Sequence, residues 1–341
     1  ITGGSIAPMM DCLDMEKNLE HICTTQEQGA AIAAEAYSRI TENLGIAMAT
    51  SGPGATNLLT GIGCAYFDSI PTLYITGQVN DYESTWEGGP RQVGFQEVDI
   101  VNVVKPITKY AVRVNDLKRI RYEFEKAIYF AKEGRPGPVL LDLPFNTQIA
   151  EVDWGSLEAY KIPERNVDYK LLDEKVNQVI ELIENAKRPV VILGAGVKLG
   201  KAQKRTRDLV EKLGIPVTPS WGGIDILPYT HPLLVEGFGV SHNRAGNFAV
   251  QNSDLIISLG SRLDTRQTGS KRNTFGRGAK KVLLDIDAGE LFKGRGLKID
   301  LDLNYNINDF LDNILQKDIQ VKNLSKWKGK IADWKRRFPI V

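Results

Sequence analysis

Glu27 stands in Thr24-Thr25-Gln26-Glu27-Gln28-Gly29-Ala30, just ahead of a run of small residues (Ala30, Ala31, Ala33, Ala34, Ala36). A carboxylate is an odd group to place before a helix face with no bulk. Further along comes Thr50-Ser51-Gly52-Pro53-Gly54-Ala55-Thr56-Asn57, a glycine turn between a strand and a helix. Such a turn offers free N–H groups and the positive end of a helix to a flat or anionic ligand. One acid beside one glycine-rich turn suggests a cofactor site in which the acid donates or shares a proton. A structural reading competes with it. Thr24-x-x-Glu27 matches a capping box, with Glu27 returning to the Thr24 backbone, and the alanine face would serve tight helix packing.

Three further constellations could bind or react. Residues 80–97 form a long polar loop ending in Phe95-Gln96, an aromatic surface followed by an amide. A loop of that length inside a compact domain is usually functional or disordered. Gly194-Ala195-Gly196-Val197-Lys198-Leu199-Gly200 follows an apolar strand but has the spacing GxGxxxG, not that of a dinucleotide fingerprint. Arg262, Asp264 and Arg266 cluster just past another strand, where α/β sheets bind ligands and where arginine forks suit phosphates. His21, His231 and His242 lack carboxylate or cysteine neighbours at ligand spacing, so no metal-ligand set and no nucleophilic triad is read.

These groups need a scaffold, and the apolar pattern supplies one. Gly45–Thr50, Thr72–Gly77 and Pro138–Pro144 are short apolar strands, separated by helical stretches at Ala7–Leu13, Gly29–Ile40, Ala55–Tyr66 and Leu117–Lys132. A second block repeats the alternation with Pro189–Leu193, a basic helix to Leu213, a unit beginning at Gly214-Ile215-Pro216-Val217, then Asp254–Gly260 and Lys281–Asp287. Continuous apolar strands between helices imply parallel sheets covered on both faces. The expected fold is α/β: two doubly wound parallel-sheet domains, 1–150 and a Rossmann-like 173–320. Residues 151–172 link them, and 321–341 form a basic linker helix with Trp327 and Trp334 on one face.

Bulk composition narrows the partners. The 341 residues carry 43 basic and 42 acidic side chains, so no basic field exists for nucleic acid. No apolar run is long enough to span a membrane. Three cysteines without metal spacing fit a reducing cytoplasm. Both ends read as cut inside a larger protein. Ile1-Thr2-Gly3-Gly4 looks like the end of a strand, and the last helix stops at Pro339 with nothing after it to pack against.

Taken in order, these motifs resemble thiamine-diphosphate enzymes of the acetohydroxyacid synthase (acetolactate synthase) type. The resemblance rests on Glu27-Gln28-Gly29-Ala30-Ala31, Ala49–Asn57, Asp68-Ser69-Ile70-Pro71, Ile75–Val79, Gly94–Val101, Gly134–Val139, Gly194-Ala195-Gly196 and Arg262–Gly269. It implies the pyrimidine-binding and central domains of that family. Gly-Asp-Gly followed by Asn-Asn, the mark of the diphosphate-binding domain that holds Mg²⁺, does not occur in the sequence. By resemblance, Glu27 hydrogen-bonds the aminopyrimidine of thiamine diphosphate and so helps generate the ylid that attacks a 2-keto acid. Gly52, Pro53 and Asn57 lie near that pyrimidine, and Phe95 and Gln96 face the intermediate or substrate.

Arg135, Gly194, Ala195, Gly196, Arg262, Asp264 and Arg266 match positions associated with a non-redox FAD. Three departures stand out: Gly237-Phe238-Gly239-Val240 replaces Gly-Met-His-Gly, Thr265 replaces an aspartate, and Gln26 replaces a histidine. The resemblance further implies a homodimer or homotetramer, a regulatory subunit as a further partner, and a keto acid or keto sugar as acceptor. It implies that these residues alone are inactive. An oxidase, a simple decarboxylase or a cyclic-diketone hydrolase on the same fold remains open, as does a non-catalytic nucleotide-binding or regulatory module.

Overall fold

The computed structural model describes residues 2–85, 87–292 and 296–339. The expectations for Ile1 and for the last two residues of the terminal helix lie outside the described residues. Contacts divide the chain into two units, Ile1–Arg165 and Asn166–Val341.

The first unit runs α1 (Ala7–Met15), α2 (Glu27–Thr41), β1 (Gly45–Ala49), α3 (Pro53–Asn57), α4 (Leu59–Asp68), β2 (Thr72–Gln78), α5 (Ile100–Val104), β3 (Tyr110–Arg113), α6 (Ile120–Lys132), β4 (Pro138–Pro144) and α7 (Phe145–Gln148). Its four strands are all parallel, in the order β1-β2-β4-β3. Apolar residues on consecutive positions fill both faces. Tyr74 and Leu140 join a core with Ala31 and Ala34 of α2 and Ile62 of α4. Leu73, Val139 and Leu141 pack on the opposite side against Ala127 and Ala131 of α6. Ala31 and Ala34 of the alanine run are thus spent within the unit, whereas Ala33 and Ala36 are exposed. Ala31 lies so close to Gly61 of α4 that any side chain at Gly61 would collide with it.

The helix expected over Ala55–Tyr66 is two, α3 and α4, broken at Leu58. Strand β3 was not anticipated. It has four half-buried residues at a sheet edge, too few to show a period.

The second unit runs α8 (Tyr169–Asn185), β5 (Pro189–Leu193), α9 (Gly196–Leu199), α10 (Gln203–Leu213), β6 (Val217–Pro219), α11 (Arg244–Asn252), β7 (Leu255–Leu259), α12 (Thr265–Thr268), β8 (Lys280–Leu284), α13 (Ala288–Leu291), β9 (Leu301–Leu303), α14 (Ile307–Ile314) and α15 (Ser325–Arg337). Its five parallel strands take the order β6-β5-β7-β8-β9. Val191 and Leu193 point to a core with α8, α10 and α14, while Val190 and Ile192 point to one with α11 and α15.

Helix α8 begins at Tyr169, inside the stretch expected to link the domains, because the Asp168 side chain caps the Leu171 N–H at 2.9 Å. In α15, Trp327, Ile331 and Trp334 are buried in the second of these cores, and Trp327 donates its indole N–H to the Pro189 carbonyl. No helix among the described residues is long and apolar enough to cross a membrane.

Candidate active site

Glu27 is the first residue of α2 and is only 5% exposed. The capping-box reading fails here, because the N-cap is Gln26, whose side-chain oxygen accepts from the Gly29 N–H at 3.2 Å. Relieved of capping, the Glu27 carboxylate turns to the glycine turn. Its Oε2 accepts from Asn57 Nδ2 at 3.0 Å. Its Oε1 faces Gly54, 3.5 Å from where a β-carbon on that glycine would sit. Among the described residues Asn57 is the one side-chain partner of this carboxylate.

The turn itself is held by conformation and close approach. Gly52 has φ +60 and ψ −123, a backbone state that side chains resist. A β-carbon there would lie 2.6 Å from the Gln96 carbonyl oxygen and 2.7 Å from its Cβ. One on Gly54 would strike Thr50 Cγ2 at 2.7 Å. Pro53 opens α3 at the position where proline's fixed φ suits a helix and its missing N–H is not needed. Ser5 and Ser51 share a hydrogen bond of 2.9 Å that ties the turn to the chain start. Glu27, Gly52, Pro53, Asn57 and Gln96 therefore gather at the carboxyl end of β1. Gln96 is exposed with φ 57, and Phe95 beside it is 84% exposed.

Sequence reasoning missed what holds the Phe95–Gln96 loop. Asp142, in the middle of apolar β4, is fully buried. It accepts from Thr76 Oγ1 (2.7 Å), Gln78 Nε2 (3.1 Å) and Arg113 Nε (2.9 Å). Thr76, Asp142 and Arg113 are register partners across β2, β4 and β3, one row of the sheet. Burial pushes the Asp142 carboxyl above its usual range, with Thr76, Arg113 and Gln78 pulling the other way. Gln78 Nε2 also donates to the Val98 carbonyl at 2.8 Å, and Arg113 reaches Ser84 Oγ at 3.2 Å. Both ends of the loop are thereby tied to the sheet. The available signal was one aspartate inside Val139–Leu143, since a buried charge requires partners.

In the second unit the glycine turn after β5 is built for packing. The Gly194 N–H donates to the Leu259 carbonyl and the Gly196 N–H to the Gly260 carbonyl, each at 3.0 Å. A side chain on Gly194 would collide with the Gly260 backbone. These two amides are consumed by the neighbouring strand end and do not fit the cradling of a pyrophosphate. Ala195 packs against Gly222. Asp264 caps α12, accepting from the Arg266 N–H at 2.8 Å, and lies 3.6 Å from the Arg262 guanidinium. Arg262 and Arg266 are exposed at this edge. Arg135 belongs to the first unit, where it donates to Ser69 Oγ at 2.8 Å beside the end of α4. His231, which has no carboxylate at ligand spacing along the sequence, meets Glu211 at 2.7 Å. No group of three or more His, Cys, Asp or Glu among the described residues could hold a metal ion.

Residues 1–103 match the family described as thiamine pyrophosphate enzyme, N-terminal TPP binding domain. Residues 176–314 match thiamine pyrophosphate enzyme, central domain. The acetolactate synthase large subunit of Lactococcus lactis subsp. lactis (strain IL1403) is 34% identical over 341 residues, which is 99% of this chain and 57% of that protein. Acetolactate synthase isozyme 1 large subunit of Escherichia coli (strain K12) is 35% identical over 339 residues, again 99% of this chain and 58% of that protein. The large subunit of Corynebacterium glutamicum is 34% identical, with 53% of its length covered. The chain thus spans between 53% and 58% of the length of these relatives. Two successive domain matches, in the order in which the two sheets occur, lead to one conclusion: the chain belongs to the thiamine pyrophosphate enzymes and carries their N-terminal TPP-binding and central domains.

Proposed function

We propose that the first unit supplies the pyrimidine side of a thiamine diphosphate site in an acetolactate-synthase-like carboligase. One observation carries this reading: the buried Glu27 carboxylate has one oxygen held by Asn57 and the other turned to the glycine turn. Oε2 stays engaged with Asn57, so Oε1 is the atom that would hold or move a proton when a pyrimidine is bound beside this turn. Burial of Glu27 excludes water, which strengthens that contact. When bound, thiamine diphosphate supplies a nucleophilic carbon and an electron sink for the decarboxylation of a 2-keto acid such as pyruvate. The Phe95 ring and the Gln96 amide, exposed beside the turn, would bind and orient the keto acid and its acceptor.

In this reading the diphosphate and its Mg²⁺ fall to a domain other than these two. FAD in the second unit would be held through Arg262 and Arg266 and not through the turn amides. A visible absorption spectrum of the purified protein tests that assignment. Exposed apolar residues on α2 (Ile32, Tyr37, Ile40) and on α4 (Tyr66, Phe67) support a homodimer or homotetramer contact. The relatives' description as large subunits supports a smaller regulatory partner. Three exposed, unbridged cysteines support a reducing cytoplasm.

The test is Glu27→Gln in the full-length protein. The amide oxygen can still accept from Asn57, so folding should be preserved. Turnover of pyruvate should fall by ~10²–10⁴-fold, the range for loss of an acid–base group. Near-normal turnover would sink the assignment. Measuring acetolactate, acetaldehyde and peroxide from the unaltered protein separates carboligase, decarboxylase and oxidase chemistry.

A further inference from the structure

The loop between β2 and α5 contains a second buried carboxylate that the proposed chemistry does not use. Glu97 directly follows Gln96 and is 8% exposed. Its Oε1 accepts from the Thr85 N–H at 2.7 Å and its Oε2 from the Val93 N–H at 3.2 Å. Its own carbonyl accepts from Gln92 Nε2 at 3.2 Å, and its N–H donates to the Gly94 carbonyl at 3.3 Å. Its carboxylate bonds are thus made to backbone N–H groups on the two limbs of the loop. Such charge-assisted bonds are stronger than neutral ones, and burying a carboxylate without them would be costly. A loop that merely had to close could do so with neutral turn residues and its charges in water.

The consequence falls on the three residues between Val93 and Glu97. Gly94 is buried so tightly on Val79 that a β-carbon there would lie 2.7 Å from a Val79 methyl. Gln96 sits in the left-handed region at φ 57, with its backbone against Gly52. Phe95, between them, stays outside, although an unrestrained loop would tend to bury an aromatic ring of that size. Holding the Phe95–Gln96 tip out while its backbone abuts the cofactor turn requires restraint from within the loop. Glu97 provides that restraint, and Asp142 ties the loop's ends.

We propose that Glu97 is a positioning residue, whose buried carboxylate braces both limbs of the 85–97 loop and so presents Phe95 and Gln96 to substrate in one arrangement. The part concerning substrate rests on the thiamine diphosphate reading, whereas the bracing does not. Preorganisation of this kind acts on binding of the group presented and not on activation of the cofactor.

Glu97→Gln tests both parts. Glutamine keeps the shape but offers one acceptor to two N–H groups. Amide hydrogen exchange should rise by ~10–100-fold at Thr85 or Val93, the effect of losing one hydrogen bond to a charged group. Exchange at Tyr74 in β2 and Leu141 in β4 should not change. Glu97→Asp, one methylene shorter, should also release one limb. No change at Thr85 and Val93 in either variant, or equal acceleration in the sheet, would overturn the bracing role. In the full-length protein the KM for the keto acid should rise by ~10-fold or more, with thiamine diphosphate affinity unchanged. An unchanged KM would overturn the presenting role. Should the unaltered protein neither bind thiamine diphosphate nor consume a keto acid, the functional reading falls and the exchange data alone decide the role of Glu97.

Discussion

Asp142 offers the sharpest quantitative test of how this first unit is held. Its carboxylate receives three donors at a site with no solvent exposure. Asp142→Ala removes the acceptor and leaves Arg113 Nε, Gln78 Nε2 and Thr76 Oγ1 facing a small void. Breaking a buried ion pair by deleting one partner typically costs about 3–5 kcal/mol. Asp142→Asn should behave very differently. With its amide oxygen toward Arg113 and Gln78, its NH₂ group faces the Thr76 hydroxyl, which can turn to accept. All three contacts survive and only the charge is lost. The cost of Asp142→Asn should therefore be about 1 kcal/mol, against typical total stabilities of about 5–15 kcal/mol.

Urea unfolding followed by circular dichroism reads the difference. The pH dependence gives an independent check. A carboxyl whose folded pKa is raised contributes stability below its unfolded pKa, and that contribution is lost as pH rises through the folded pKa. The slope arising from this group, from the ordinary carboxylate range upward, should vanish in Asp142→Asn. Adding Arg113→Met to Asp142→Ala removes the stranded cation and should recover part of the loss, a coupling of roughly 0.5–3 kcal/mol. The reasoning is refuted if alanine costs less than about 1 kcal/mol or if asparagine costs as much as alanine.

Two other perturbations follow from the same unit. The Lys109 ammonium donates to the Glu133 carbonyl, and burial lowers its pKa from 10.5 to about 8. The folded state then sheds this proton before the unfolded state does, so stability should rise as pH climbs from about 8 to 10.5. After discounting for partial solvent screening, the gain should be about 1–2 kcal/mol, and urea midpoints in Lys109→Met should lose it. Gly52→Ala forces a side chain into a positive-φ turn and against Gln96. It should cost about 1–3 kcal/mol in urea unfolding and speed amide exchange in the 85–97 loop; unchanged loop exchange would mean that the turn and the loop tip are not coupled.

How much of this was legible in the sequence depends on how local each feature is. Strands β1, β2, β4, β5, β7 and β8 are apolar runs bounded by glycine, proline or polar residues, and they announce themselves. Strands β3 and β9, four and three residues long at sheet edges, do not. Glu27 and the 50–57 turn were visible because a charge before alanines and a Gly-Pro-Gly turn are local anomalies. The competing capping reading stayed open in the sequence because Thr24-x-x-Glu27 and Gln26-x-x-Gly29 are both sterically available starts, and spacing alone cannot choose between them. The Gly194 turn looked like a ligand loop for a similar reason. A glycine required by a neighbouring strand end and one required by a phosphate leave the same mark in the sequence.

The brace around the loop was illegible because its partners are brought together only by register. Thr76, Asp142 and Arg113 stand opposite one another because β2, β4 and β3 run parallel with that alignment. A shift of one residue in the β3–β4 pairing would turn Arg113 to the other face and leave Asp142 with Thr76 and Gln78 but without its cationic donor. The polar row is therefore a check on register as well as a support for the loop. Gln78, which ends β2 and begins the loop, shares the Asp142 acceptor and also bonds Val98, where the loop returns. Correct pairing of the sheet and correct placement of Phe95–Gln96 are in this way one event. A chain that misaligned β3 would lose the Arg113 contacts to Ser84 and Val98 that support the Phe95–Gln96 loop, even with Glu27, Asn57 and Gly52 all in place.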